Sequence, residues 1–314
     1  MTRTKVNVYC SLISKENYNE EMGYYSFSPT EFHPEPKNVE WVYGGGIQPE
    51  SLKPLNRLPE EDVEVTIFSD KDLLSPMTDQ VNTKYKVALL NECRSIHPFA
   101  YEWITMVEDK FDLILTYDKD LLNRGPKYVF YKTVHAGGSI HKEDCKIQKK
   151  SKLASIIISK KGKDIEISKL ARGHKLRHLI VDNLITKRNL DVDLWGRAYK
   201  SFDYKMDPLG QYYFSLSITN AKHENYFNDN LVDCFRLGTI PVFWGCPNIG
   251  DFFNTDGILS FDTGPELLDI LESISPDLYH QKLEAVKDNL KRAESFFDSD
   301  DNLFAVIKKN LNLS

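Results

Sequence analysis

Two kinds of hydrophobic pattern alternate along the first part of the chain. Short apolar runs such as VEVTIFSD (63–70), KVALLNE (86–92) and FDLILTYD (111–118) predict buried β-strands. The segment HPFAYEWITMVE (97–108) instead repeats its apolar residues at helical spacing and has Pro98 in its first turn. Strand and helix signals that alternate in this way predict βαβ units with a mostly parallel sheet, and therefore an α/β fold.

The same alternation returns after a polar segment rich in Gly and Lys at residues 135–150. KLASIIIS (152–159) and DVDLWG (191–196) predict strands on either side of an amphipathic helix at 168–185, with a break at Gly173. The tail from Pro265 predicts a series of helices.

The length of 314 residues suggests two domains of ordinary size. We place their boundary in the polar segment, at residue 145. This gives an N-terminal domain at 1–145 and a C-terminal domain at 146–314 that includes the terminal helices.

Charge and composition exclude several classes of protein. A net charge of −6 argues against a general nucleic-acid binder, and we expect no nucleic-acid partner. No segment approaches the roughly 20 apolar residues of a membrane span, and the N-terminus lacks a signal-peptide core. The five cysteines are scattered without zinc-binding spacing and favour a reducing compartment, so we expect a cytoplasmic protein. Nothing in the sequence indicates the oligomeric state.

The segment between Tyr212 and Asp262 combines two strands, a polar loop and a helix. A strand, YYFSLSIT, leads into a polar loop, and a helix then begins near Asn228 and Asp229. The run IPVFWG that follows is apolar almost throughout, as expected of a strand covered on both faces. A polar loop that enters a helix after a parallel strand is where α/β sheets bind nucleotides and phosphates.

This segment resembles the donor-binding motif of family 10 glycosyltransferases, the α1,3-fucosyltransferases. The matching residues, in order, are Asn220, Tyr226, Asp229, Asp233, Gly238-Thr239-Ile240-Pro241 and Trp244-Gly245. Where the family typically has FENS and then YVTEK, Thr219 replaces the Glu and Asn228-Asp229-Asn230 replaces Thr-Glu-Lys. Both departures fall at polar positions of the expected pocket.

The resemblance implies a GT-B fold, in which two Rossmann-like domains with parallel sheets face a cleft. It further implies an inverting, metal-independent transferase without a cofactor, whose partners are a nucleotide sugar and a glycan acceptor. GDP-fucose is the first donor to consider. Two alternatives stay open: a related glycosyltransferase with another nucleotide-sugar donor, and a non-catalytic protein that binds a sugar or a nucleotide.

Glu92 is the candidate general base. It ends the strand KVALLNE, and an acid at the carboxyl end of a sheet strand points toward the expected cleft. The resemblance places the family's catalytic Glu in a similar context, before a nearby Pro. The alternative role is a loop carboxylate that caps the following helix.

Arg177 is the candidate ligand of the diphosphate, because the family has an Arg at this point and a guanidinium suits paired phosphate oxygens. Lys175 and Arg172 are local alternatives. Asp229 matches the family Glu that accepts the ribose hydroxyls. The remaining candidate donor-binding residues are Asn220, Tyr226, Asn228, Asn230, Arg197 and Lys222.

Asn230 stands where the family has a Lys that pairs with phosphate. Another cation is therefore expected to take its place, and the candidates are Lys222, Lys200 and Arg197. The pair Asp191 and Asp193 is similar to a metal-binding DxD motif, but we interpret it as the start of a strand.

Overall fold

The structure is a computed structural model, and it describes most of the chain. The described residues are 3–10, 18–19, 24–25, 35–47, 54–56, 58–132, 140–159, 172–197 and 199–313. The chain divides into two compact units. Met1–Ala136 and Asp298–Ser314 form the first unit, and Gly137–Phe297 forms the second.

The first unit contains the first nine described strands. They are β1 Thr4–Tyr9, β2 Tyr18–Asn19, β3 Tyr24–Tyr25, β4 Val39–Ile47, β5 Pro54–Asn56, β6 Val65–Ser69, β7 Tyr85–Leu90, β8 Leu113–Thr116 and β9 Tyr128–Phe130. In the described residues the main sheet has the order β5-β4-β1-β6-β7-β8-β9, and β2 pairs with β3. Neighbours in the main sheet are parallel except β4 and β5, which confirms the predicted parallel sheet.

The second unit contains the other five described strands. They are β10 Lys152–Ile157, β11 Val192–Trp195, β12 Tyr212–Ile218, β13 Ile240–Trp244 and β14 Leu259–Ser260. The sheet they form has the order β11-β10-β12-β13-β14 and is parallel throughout. β13 is buried at every residue, as its uninterrupted apolar sequence predicts.

From β6 onward, described α-helices connect most of the successive strands, and four more follow β14. They are α1 Met77–Gln80, α2 Pro98–Val107, α3 Lys119–Leu122, α4 Arg172–Ile180, α5 Thr186–Arg188, α6 Met206–Leu209, α7 Asp229–Arg236, α8 Gly264–Ser273, α9 Pro276–Gln281, α10 Leu283–Ala293 and α11 Ser299–Leu311. A π-helical segment, Val181–Ile185, joins α4 to α5. Gly173 lies inside α4 rather than at a break, while residues 168–171 of the predicted helix lie outside the described residues.

The position of α11 differs from the expectation that all terminal helices belong to the second domain. Its apolar face completes the core of the first unit with Leu303, Phe304, Ile307 and Leu311. The indole Nε1 of Trp41 also donates a hydrogen bond of 2.6 Å to Asp300 Oδ1. These long-range contacts assign α11 to the first unit. The boundary observed after Ala136 lies close to the one predicted at residue 145, but Asp298–Ser314 belong to the first unit and not to the predicted C-terminal domain.

Candidate active site

The order of the strands in the second sheet reverses its direction at one point. From β10 the chain proceeds to β11 on one side, whereas β12 lies on the other side of β10. Loops at the carboxyl ends of β10 and β12 therefore run in opposite directions, and ligands of open α/β sheets bind at such a switch point. α4 follows β10, and Asn220 follows β12.

Arg177 on α4 reaches this switch point. Its Nε donates to the carbonyl of Ile218 at 2.9 Å, and its Nη2 donates to the same carbonyl and, at 2.9 Å, to Asn220 Oδ1. Within the part of the chain that the structure describes, Nη1 has no partner. Burial lowers the pKa of Arg177 to about 10, against the attraction of Tyr226 and Asp229, so the guanidinium is still charged at neutral pH.

Gly173 allows α4 to come this close to the chain after β12. Its backbone N–H donates to the Asn220 carbonyl at 3.0 Å, and a Cβ at this position would lie 1.7 Å from the Thr219 carbonyl oxygen. Only a residue without a side chain fits there. Gly173 thus sets the depth at which Arg177 approaches Ile218 and Asn220.

Thr219 has a different environment from the one expected. Its side chain is fully buried, and the hydroxyl donates to the carbonyl of Ala221 at 2.6 Å. It also packs against Gly245, where a Cβ would lie 2.6 Å from Thr219 Oγ1. This departure from the family pattern is therefore part of the loop's internal packing and not a polar position of the pocket.

The N-terminus of α7 presents several of the candidate residues together. Asn228 precedes the helix, but among the described residues its side chain makes no capping hydrogen bond, and its buried Oδ1 has no hydrogen-bond partner there. Asp229 is the first helical residue, and its Oδ2 accepts a hydrogen bond of 2.5 Å from Lys205 Nζ. Asn230 is half-buried on the same first turn.

Lys205 was missed by sequence reasoning. It is buried, and its ammonium also donates to Asp233 Oδ2 at 2.8 Å. Burial favours the neutral amine, but the attraction of Asp229 and Asp233 outweighs it and raises the pKa of Lys205. It lies 24 residues before Asp229 in a segment without a recognisable motif. No local sequence pattern therefore indicated its contact with Asp229.

Two of the other cations proposed from the sequence have partners elsewhere. Lys222 forms an ion pair with Asp262 beside a cavity of about 340 Å³ at the carboxyl ends of β13 and β14. Lys200 Nζ lies 4.1 Å from the centre of the Trp195 ring, and Arg197 is exposed after β11. The structure thus brings Arg177, Asn220, Tyr226 and Asp229 together, and it does not place Lys222 or Arg197 in contact with them.

Glu92 follows β7 in the first unit, in a loop anchored by a buried carboxylate. Oδ1 of Asp70 accepts hydrogen bonds from the backbone N–H of Asn91 at 2.8 Å and of Glu92 at 2.9 Å. Tyr101 donates to the Glu92 carbonyl at 2.6 Å. The Glu92 side chain is half-buried and accepts from Cys93 N–H at 2.6 Å, so it caps its own loop rather than α2.

Asp193 has a structural role in β11, as the interpretation of DVDLWG predicts. It accepts hydrogen bonds of 2.6 Å from Lys152 Nζ and from the Tyr212 hydroxyl, and these hydrogen bonds lower its pKa. Among the described residues, His, Cys, Asp and Glu side chains do not form a cluster of three or more that could hold a metal ion.

Comparison with known proteins shows which families the sequence of the second unit resembles. Residues 147–281 match the model of the C-terminal part of glycosyltransferase family 10 (fucosyltransferase). A putative fucosyltransferase-like protein from Arabidopsis thaliana is 32% identical over 85 residues, which are 26% of this chain and 16% of that protein. GDP-fucose protein O-fucosyltransferase 3 from Xenopus laevis is 43% identical over 44 residues, 14% of this chain and 9% of that protein.

Solved structures extend the similarity to both units. An α1,3-fucosyltransferase crystallised with GDP has a TM-score of 0.53 at 14% identity, with 96% of this chain and 90% of that chain covered. A sucrose-phosphate synthase from Thermosynechococcus elongatus has a TM-score of 0.55 at 6% identity, with 98% and 99% covered. At these identities the likeness shows the fold alone, and the chain spans less than a fifth of the length of the curated relatives it matches.

The two parallel sheets and the similarity to these solved structures show a GT-B fold, which confirms the fold predicted from the sequence. More particularly, residues 147–281 of the second unit are similar to the C-terminal part of glycosyltransferase family 10, as the motif between Tyr212 and Asp262 indicated. In the described residues no helix is both long and apolar enough to span a membrane.

Proposed function

We propose that this protein transfers a sugar from a nucleoside diphosphate sugar to an acceptor hydroxyl, with GDP-fucose as the donor and a glycan as the acceptor. One observation carries the proposal. A charged Arg177 is fixed at the switch point of a family 10 domain, with Nη1 unengaged among the described residues. The α1,3-fucosyltransferases similar to this chain were crystallised with GDP and with GDP-fucose.

On the donor side, the chemistry requires positive charge near the diphosphate. When the bond between the anomeric carbon and the diphosphate oxygen breaks, both bonding electrons stay with the nucleotide. Arg177 stabilises this developing charge through its free guanidinium edge. Asp229 accepts hydrogen bonds from the ribose hydroxyls, and Tyr226 and Asn220 shape the same loop.

On the acceptor side, the carboxylate of Glu92 takes the proton of the acceptor hydroxyl as its oxygen bonds to the anomeric carbon. Attack opposite to the departing diphosphate inverts the anomeric configuration. Asp70 fixes the backbone of this base, because it accepts from two consecutive N–H groups. No metal or other cofactor is needed in this scheme.

The donor site is tested by calorimetry with GDP as the probe. Arg177→Lys keeps the charge but loses the planar fork, and we expect the Kd for GDP to rise about tenfold. Lys175→Ala is the matched control, since it removes an exposed cation two residues away on the same helix. An equal loss of affinity in the control would assign the phosphate to Lys175 instead. Tighter binding of UDP or dTDP than of GDP would overturn the fucose assignment.

The base is tested by release of GDP from GDP-fucose in the presence of glycan acceptors. Glu92→Gln should lower the rate by about a hundredfold or more while GDP binding is unchanged. Glu102→Gln, an exposed acid on α2, is the control and should retain full activity. Wild-type transfer that disappears in Glu92→Gln excludes the non-catalytic alternative; an unaffected rate would remove Glu92 from the mechanism.

A further inference from the structure

The buried side of α7 carries a line of charged residues. Asp229, Asp233 and Arg236 recur at one helical face, and Arg236 Nη1 lies 3.6 Å from Asp233 Oδ1. Lys205 bridges the two carboxylates from a different segment of the chain. Two positive and two negative groups therefore form a neutral network, of which Asp233 and Arg236 are almost completely shielded from solvent.

Asp229 is the point at which this network meets solvent. Its side chain is 34% exposed, whereas those of Lys205 and Asp233 are 10% and 0% exposed. The carboxylate thus has one oxygen held by a buried ammonium while the group remains accessible at the start of the helix. A long flexible lysine held by two carboxylates loses its rotamer freedom, and it transmits this rigidity to the exposed carboxylate.

Charge balance supports the same role. Without Lys205, Asp229 would lose the cation that lies 2.5 Å from its Oδ2, and the repulsion between its carboxylate and that of Asp233 would be less well balanced. Neutralising Asp233 alone does not require Lys205, because Arg236 already faces the other oxygen of Asp233. The ammonium of Lys205 joins both carboxylates, so its loss acts on Asp229 as well as on Asp233.

We infer that Lys205 is a positioning residue of the donor site: it holds the Asp229 carboxylate, ionised and in a fixed orientation, for the ribose hydroxyls of a nucleoside diphosphate. The inference rests on the proposed function. Lys205 acts through Asp229 and does not itself touch the ligand.

The test compares two ligands that differ only in the hydroxyls concerned, GDP and 2′,3′-dideoxy-GDP. Lys205→Met alone leaves two carboxylates without their cation and endangers folding. The informative variant is Lys205→Met/Asp233→Asn, and its matched control is Asp233→Asn, which keeps Lys205 and its contact with Asp229. Lys205→Arg is the conservative variant, and the melting temperature of each protein is recorded.

Wild type and Asp233→Asn should bind GDP about tenfold more tightly than dideoxy-GDP. In the double variant this preference should fall to about twofold or less, through loss of GDP affinity alone, and Lys205→Arg should restore most of it. A merely structural role would weaken both ligands equally and leave the ratio unchanged, and that result would overturn the inference while the proposed function stands. If the wild type binds no nucleoside diphosphate, both the inference and the proposed function fail.

Discussion

The contact between α4 and the chain after β12 provides the sharpest test of the switch-point site. In Gly173→Ala, the new methyl group would lie 1.7 Å from the carbonyl oxygen of Thr219, and 2.8 and 2.9 Å from the carbonyl carbons of Thr219 and Asn220. All three obstacles are backbone atoms. No side-chain rotation can relieve the overlap, so the helix and the strand end must separate.

The required movement follows from these distances. Real Cβ atoms essentially never approach another heavy atom within 3.0 Å, so the two segments must part by about 1.3 Å. Overpacking of this kind typically lowers the free energy of unfolding by about 1–3 kcal/mol. The same displacement breaks the hydrogen bonds from Arg177 to Ile218 and Asn220, which are formed at ordinary length. A misplacement of about 1 Å can cost about a hundredfold in rate.

Two measurements check the prediction, thermal unfolding and calorimetric titration with GDP. We expect Gly173→Ala to lower the melting temperature by several degrees and the GDP affinity by at least tenfold. Gly264→Ala on α8 is the matched control, because a Cβ there would meet no atom within 4 Å. That substitution should leave both properties within error or raise stability slightly.

Wild-type GDP affinity in Gly173→Ala would refute the reasoning, because Arg177 cannot keep its position if α4 has moved. A lower melting temperature with unchanged affinity would also refute it. That outcome would show that the helix contact stabilises the unit without setting the geometry of the site.

Three further predictions follow from other contacts. Asp70→Ala leaves two N–H groups of the Glu92 loop without their acceptor. It should lower the free energy of unfolding by about 2–4 kcal/mol in urea titrations. Asp70→Asn keeps an acceptor oxygen, and its loss of unfolding free energy should be under half as large. Hydrogen bonds from Lys152 and Tyr212 lower the pKa of Asp193. The stabilisation by the Asp193 carboxylate is therefore present above the ordinary aspartate pKa of about 4 and is lost as the pH falls. The difference in unfolding free energy between wild type and Asp193→Asn should shrink from pH 6 to pH 3. Thr263→Ala removes the capping box of α8 and should cost about 1 kcal/mol in the same urea assay, and no change would contradict the cap.

The strands were predictable from the sequence because buried parallel strands read as unbroken apolar runs. β13 and β7 show this directly, and their positions were predicted to within a few residues. Arg177 and Asn220 were proposed as site residues from the resemblance to the family motif. Their mutual hydrogen bond is the part that only the structure reveals.

Residues whose roles depend on distant partners were not predictable in this way. Lys205 carries no motif, and only the tertiary structure places it beside Asp229. Gly173 resembles a helix breaker until the neighbouring Thr219 carbonyl is known. The assignment of α11 to the first unit likewise depends on a hydrogen bond, between Trp41 and Asp300, that joins residues 259 positions apart.

The return of α11 to the first unit has a consequence for synthesis on the ribosome. The ribosome has made the whole sheet of that unit once it reaches Phe130. The helix that covers one part of the core begins only at Ser299. At about 5–20 residues per second, this part of the core stays open for roughly ten to thirty seconds while the second unit is made. Val6, Val8 and Ile67 belong to the core that awaits the helix. The first unit to be translated is therefore the last to be completed, and part of its apolar core is exposed during that interval.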